Sequence, residues 1–190
     1  MAAELSSNIL AVVYSDGLAA DRMLANIAYH LRDDGVVVAG LVQLNTFVRD
    51  RAKCDMAVEE LYSRTVYQLS EERGPAAKGC RLDHTRLAEA AGLFSAALKQ
   101  RPELVVLNKF GKVEAEGGGL RDALGHAVAL DVPLIVGVPY RNLDQWRHFA
   151  GGLADECAVS APYILRWLGA KGFKTTSHHE MFIEDAVERA

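Results

Sequence analysis

The chain has 190 residues, 50% of them apolar, enough for one domain with a real core. Its formal charge of −4 and pI near 5.9 lack the basic excess that nucleic acid or an anionic membrane surface would require, so neither is an expected partner. Cys54, Cys80 and Cys157 are far apart and without C-x-x-C spacing, which argues against a disulfide scaffold or structural zinc and for a reducing cytoplasm. No basic region precedes the first apolar run, and no stretch approaches the ~18 apolar residues a membrane helix needs; a soluble, unprocessed protein is expected.

In chain order, Ile9 to Tyr14 reads as a strand and Ser15-Asp16-Gly17 as a turn. Met23, Leu24, Ile27, Ala28 and Leu31 then recur at helical spacing. Gly35 ends that helix and Val36 to Val42 forms a second aliphatic run, completing a β-α-β unit and predicting a mainly parallel sheet. From 45 to 83 the pattern becomes polar and broken. Met56 to Tyr62 is compatible with a short helix or a strand, and Thr65 to Leu69 alternates like a strand, so an irregular or hairpin-like insertion is expected here. The stretch Glu71 to Arg81, with its glycines and proline, reads as loop.

Asp83 or Thr85 can cap a helix carrying Leu87, Ala91, Phe94 and Leu98 on one face, closed by Pro102 ahead of the buried strand Leu104 to Leu107. After a charged, glycine-rich loop, Leu120, Leu124, Ala127 and Val128 mark another helix, and Leu134 to Val138 another buried strand. Leu143 to Phe149 and Ala161 to Leu168 complete the helices. Residues 1–170 are thus expected to form a single three-layer, doubly wound α/β domain, with 171–190 as a polar tail.

In such sheets ligands bind beyond the carboxyl ends of the strands, and three stretches offer suitable chemistry there. Ser15, Asp16 and Gly17 occupy the strand-to-helix turn where a P-loop would cradle phosphate on helix amides. The P-loop motif is missing: Ala20, Asp21 and Arg22 fall over its Gly-Lys-Ser/Thr positions, so a carboxylate replaces the phosphate-binding lysine. A turn and helix cap is an equally good account of these residues. The loop from Asn108 to Gly119 is the favoured site. Lys109 and Lys112 offer ammonium donors, Glu114 and Glu116 offer oxygens for a divalent cation such as magnesium, Gly117, Gly118 and Gly119 offer close backbone amides, and Arg121 opens the next helix. Finally, Arg73, Lys78, Gly79, Cys80 and Arg81 could converge on an oxyanion, with binding favoured over catalysis by Cys80. His178, His179 and Glu180 have the composition of metal ligands, but adjacent histidines diverge and a solvated tail is the better account.

Four blocks resemble a bacterial family designated domain of unknown function 2478: Cys54-Asp55-Met56 with Leu61, Arg73-Gly74-Pro75 through Leu82-Asp83, Asn108 through Gly117, and Phe149-Ala150-Gly151-Gly152. The resemblance extends to about Ala170. That family is in turn similar to the nucleoside-triphosphatase branch of P-loop proteins, in which the strand matching Leu104 to Leu107 ends in an Asp-Glu pair. Here Asn108-Lys109 stands in its place, and both acids are lost. The resemblance therefore implies a P-loop-like fold with a degenerate Walker A motif and no efficient hydrolysis.

It also implies a link with molybdenum use, making ATP, GTP or molybdate the expected ligand, with magnesium as the accompanying cation and an accessory or regulatory role. A slow nucleoside-triphosphatase or phosphotransferase is the rival expectation. An interaction module built on Trp146, Phe149 and Trp167 is a third, although these aromatics read better as core. A homodimer is the default assembly to test.

Overall fold

The computed structural model describes residues 7–46, 55–70 and 82–175. Seven strands form one sheet: β1 (Ile9–Tyr14), β2 (Val38–Thr46), β3 (Asp55–Glu60), β4 (Thr65–Gln68), β5 (Leu104–Leu107), β6 (Leu134–Pro139) and β7 (Ala154–Ala158), in the order β4-β3-β2-β5-β6-β1-β7. β1 pairs in parallel with β6 and β7, and β5 with β2 and β6; β3 and β4 continue the sheet antiparallel from β2. The helices are α1 (Gly17–Asp33), α2 (His84–Leu98), the single turn α3 (Lys112–Ala115), α4 (Arg121–Ala129), α5 (Leu143–Ala150) and α6 (Ala161–Ala170).

The strands alternate between two apolar layers. Leu10, Val12, Leu104, Val106 and Ile135 face α1 and α6 through Leu24, Ile27, Leu31, Ile164 and Trp167. Ile9, Ala11, Val105, Leu107 and Val136 face α2, α4 and α5 through Leu87, Phe94, Leu98, Leu124 and Trp146. This is the three-layer α/β architecture expected, with a mostly parallel sheet covered on both faces, as P-loop nucleoside-triphosphatases have. Trp146 and Trp167 are fully buried, and Trp146 packs edge-on against Phe110, so neither indole offers an interaction surface.

Several boundaries differ from the sequence pattern for local reasons. α1 ends through Gly35 at φ +90°, with Gly35 N–H donating to Arg32 and Val36 N–H to Leu31. That hydrogen-bonded stop moves the start of β2 to Val38. Residues 55–60, open to two readings from sequence, are a strand, because each pairs with β2 from Leu41 to Thr46. β7 has no apolar run: among the described residues only β1 pairs with it, and its Asp155 and Glu156 match an edge position rather than a buried centre. α3 breaks up the supposed continuous loop between β5 and α4.

Candidate functional site

The chain crosses from β1 to β2 over two intervening strands, whereas from β6 it crosses β1 to reach β7 on the other side. The crevice at the carboxyl ends of β1 and β6 is therefore the topological switch point where open α/β sheets hold ligands. Here Tyr14, the last residue of β1, is 7% exposed, and its ring lies between two glycines. A Cβ at Gly137 would stand 3.4 Å from one side of the ring and one at Gly17 would stand 3.8 Å from the other. Burial, and then the Asp21 charge, push the Tyr14 hydroxyl well above the usual phenol range, while Arg141 pulls it back. A buried phenol thus sits at the β1 end of the crevice.

Only Ser15 and Asp16 separate β1 from α1, which begins at Gly17. Asp16 is the N-cap: its Oδ1 accepts from the amides of Leu18 at 3.0 Å and Ala19 at 3.3 Å. The two amides that follow the expected Ser15 to Gly17 segment in the first turn of α1 thus already serve a carboxylate. Asp21 lies in the second turn and is 6% exposed. Its Oδ1 accepts from Asn108 Nδ2 and its Oδ2 from Asn45 Nδ2, both at 2.6 Å. Asn45 in turn accepts from Gln43 Nε2 at 2.8 Å. One buried carboxylate therefore links α1 to the ends of β5 and β2. Asn108 Oδ1 and the Tyr14 hydroxyl are buried beside it, and neither has a hydrogen-bond partner among the described residues.

The favoured loop is built differently. Glu114 is 4% exposed; its Oε2 accepts from Gly111 N–H at 2.9 Å and its Oε1 from Leu120 N–H at 3.0 Å. One of the two glutamates expected to hold a metal thus clamps both ends of its own loop. α3 closes through Gly117 at φ +97°, with Gly117 N–H donating to Glu114 and Gly118 N–H to Val113. This pairing caps a helix and occupies two of the three amides assigned to an anion, those of Gly117 and Gly118. Gly119, at φ +60°, lies where a Cβ would come within 2.2 Å of Glu114 Oε1. All three glycines are exposed.

Arg121 Nη1 donates to the Glu114 carbonyl at 3.1 Å, and its guanidinium lies 4.6 Å from the Phe149 ring centroid, so this cation too is engaged in packing. Lys112 is exposed and pairs with Glu116 at 3.6 Å, while Lys109 is half-buried. Among the described residues, no group of three or more His, Cys, Asp or Glu could hold a metal ion. Arg73, Lys78, Gly79, Cys80, Arg81, His178, His179 and Glu180 lie outside the described residues.

Of the expected residues, the structure joins Asn108 to Asp21 and leaves Lys112, Glu116 and Gly117 to Gly119 on a loop closed on itself. Sequence reasoning missed Asn45, Tyr14 and Arg141. The available signal was positional: each lies at or just beyond a strand's carboxyl end. A pocket of about 450 Å³ opens beside Asp21, between α1 and β2, lined by Leu18, Arg22, Asn26, Tyr29, Gln43 and Asn45 among others.

Fold and site together define a P-loop-like α/β protein whose carboxyl edge carries a buried Asp-Asn pair. Residues 9–167 match the family of proteins of unknown function DUF2478, and the chain belongs to that family. It is also 32% identical over 168 residues to molybdenum import ATP-binding protein ModC 2 of Bradyrhizobium diazoefficiens. That match covers 87% of this chain but 18% of the relative, so the chain spans under a fifth of the curated protein's length. No solved structure matches it. No helix among the described residues is long and apolar enough to cross a membrane.

Proposed function

We propose that this chain is a P-loop-like binding module with a degenerate Walker A segment, taking a nucleotide or a related anion without efficient hydrolysis. Its role is accessory or regulatory. The observation that carries this reading is the 2.6 Å contact between Asp21 and Asn108. Where a hydrolase would place a lysine on the helix and an acid at the strand end, this chain has a carboxylate on the helix and an amide at the strand end. The amide and the carboxylate hydrogen-bond to one another, but the cation for a γ-phosphate is gone. Asn108 is no general base. A phosphate brought to about 4 Å from Asp21 would be repelled by ~4 kcal/mol at an effective dielectric near 20.

The similarity to an import ATP-binding protein supports nucleotide as the ligand and a cytoplasmic location, with magnesium accompanying it if a cation is used. The relative's name also supports molybdenum import as the setting and molybdate as the rival anion. Because the match covers 18% of that relative, the same similarity favours a second reading, a module that works beside an ATP-binding partner. Isothermal titration of the full chain with ATP, GTP and molybdate, with and without magnesium, tests the binding reading. Saturable binding without phosphate release is expected. Silence for all three ligands would overturn it, and steady phosphate release abolished by Asn108→Ala would make the protein a slow hydrolase instead.

A further inference from the structure

We infer that the ligand lies in the pocket between α1 and β2, beside the switch-point crevice, and that it enters base first, as a guanine-type nucleoside or nucleotide. This rests on the nucleotide reading above and specifies its site. The pocket, about 450 Å³, is of a size that holds small molecules. Leu18, Arg22 and Asn26 follow one another at four-residue spacing along α1, as do Asp21, Ala25 and Tyr29, so both rows run beside Gln43, Leu44 and Asn45 of β2.

The lining decides which end of a nucleotide fits. Asp21 is an acceptor-only group, so a ligand meeting it must present N–H donors, and an oxyanion or phosphate presents none. Each Asp21 oxygen takes one amide donor and keeps capacity for another. Guanine offers adjacent ring N–H and amino donors on one edge. Adenine offers its amino group beside a ring nitrogen acceptor, which would face the carboxylate lone pairs. Leu44 and Leu18 supply apolar walls for a planar ring, and Leu18, 40% exposed, is open to contact from solvent. Arg22, exposed at the rim, is the cation left for the ribose or phosphate end.

If the base carries the recognition, guanosine should bind the full chain within about threefold of GTP, and adenosine at least about tenfold more weakly, by isothermal titration. Leu18→Asp, a change at an exposed position that leaves the core intact, should weaken guanosine by more than about tenfold. Asp21→Asn should narrow the guanosine preference, because an amide both donates and accepts. GTP binding with guanosine silent would place recognition on the phosphates and overturn the inference while sparing the nucleotide reading. Guanosine binding unaffected by Leu18→Asp would also overturn it. Molybdate binding alone would remove the base-first pocket but leave an anion site, and silence for every nucleotide, nucleoside and molybdate would remove both proposals.

Discussion

Two regions at the carboxyl edge of the sheet contrast sharply. The loop from Asn108 to Arg121 holds the densest charge and glycine in the chain, yet its buried acid, the amides of Gly111, Gly117 and Gly118, and its arginine are satisfied within the loop or against Phe149. The corner where α1 meets β2 and β5 looks plain in sequence, with an aspartate and two asparagines far apart. In the fold those residues share one buried carboxylate beside an open pocket, with two polar atoms lacking partners among the described residues. Charge and glycine density marked a loop that closes on itself. A buried carboxylate shared by distant stretches and opening on a pocket marks the better candidate site.

The comparison breaks most readily at Glu114. Glu114→Ala leaves the Gly111 and Leu120 amides buried without acceptors, each worth about 1–3 kcal/mol, so urea unfolding should show a loss of about 3–4 kcal/mol. Glu114→Gln keeps one acceptor and should lose about half as much. Ligand affinity should be unchanged in the folded fraction; a specific loss of binding there would restore the loop as the site. Next in size is Asn108→Leu, which removes one of two donors from a buried carboxylate and should cost about 2–3 kcal/mol. Unlike the Glu114 variants, it should also alter binding, since it disturbs the floor of the pocket.

A glycine pair then sharpens the picture of the loop. Gly117→Ala meets no neighbour within 4 Å and pays only for its left-handed backbone, about 1 kcal/mol. Gly119→Ala pays the same and also drives a Cβ into the Glu114 carboxylate, so it should cost about 2 kcal/mol or more. Equal losses at the two positions, read from urea midpoints, would mean that Glu114 does not hold the loop as described.

These contrasts show which features the sequence made legible. β1, β5 and β6 could be read because each is a short aliphatic run buried on both faces, and α1 because Leu24, Ile27, Ala28 and Leu31 follow one face. β7 was missed because a strand paired on one side needs no such run. Asp21 drew notice only as a missing lysine; its partners Asn45 and Asn108 lie 24 and 87 residues away, a convergence no local pattern encodes. The glycines at 117 to 119 were legible as positions demanding unusual backbone, but the same demand arises from capping a helix and from cradling an anion. Only the destination of each amide separates the two.

The smallest expected effect provides a baseline for both regions. Arg147 on α5 grips Glu156 on β7 through two bonds, Nε to Oε1 at 2.9 Å and Nη2 to Oε2 at 2.8 Å, in an exposed setting. The hydrogen bonds and charge of Arg147 hold the Glu156 carboxyl below the usual glutamate range, against a smaller opposing effect of burial. A carboxyl whose folded pKa is depressed contributes stability that is fully present above its unfolded value, near 4.5, and is lost as pH falls through the lower folded value. The difference in melting temperature between the protein and its Glu156→Gln variant should therefore be constant from pH 7 to about 5 and shrink below that. It should also shrink in 1 M salt, because exposed pairs are screened. A salt-sensitive difference larger than that of Asn108→Leu would mean that this exposed ion pair outweighs the buried Asp21–Asn108 contact in stability.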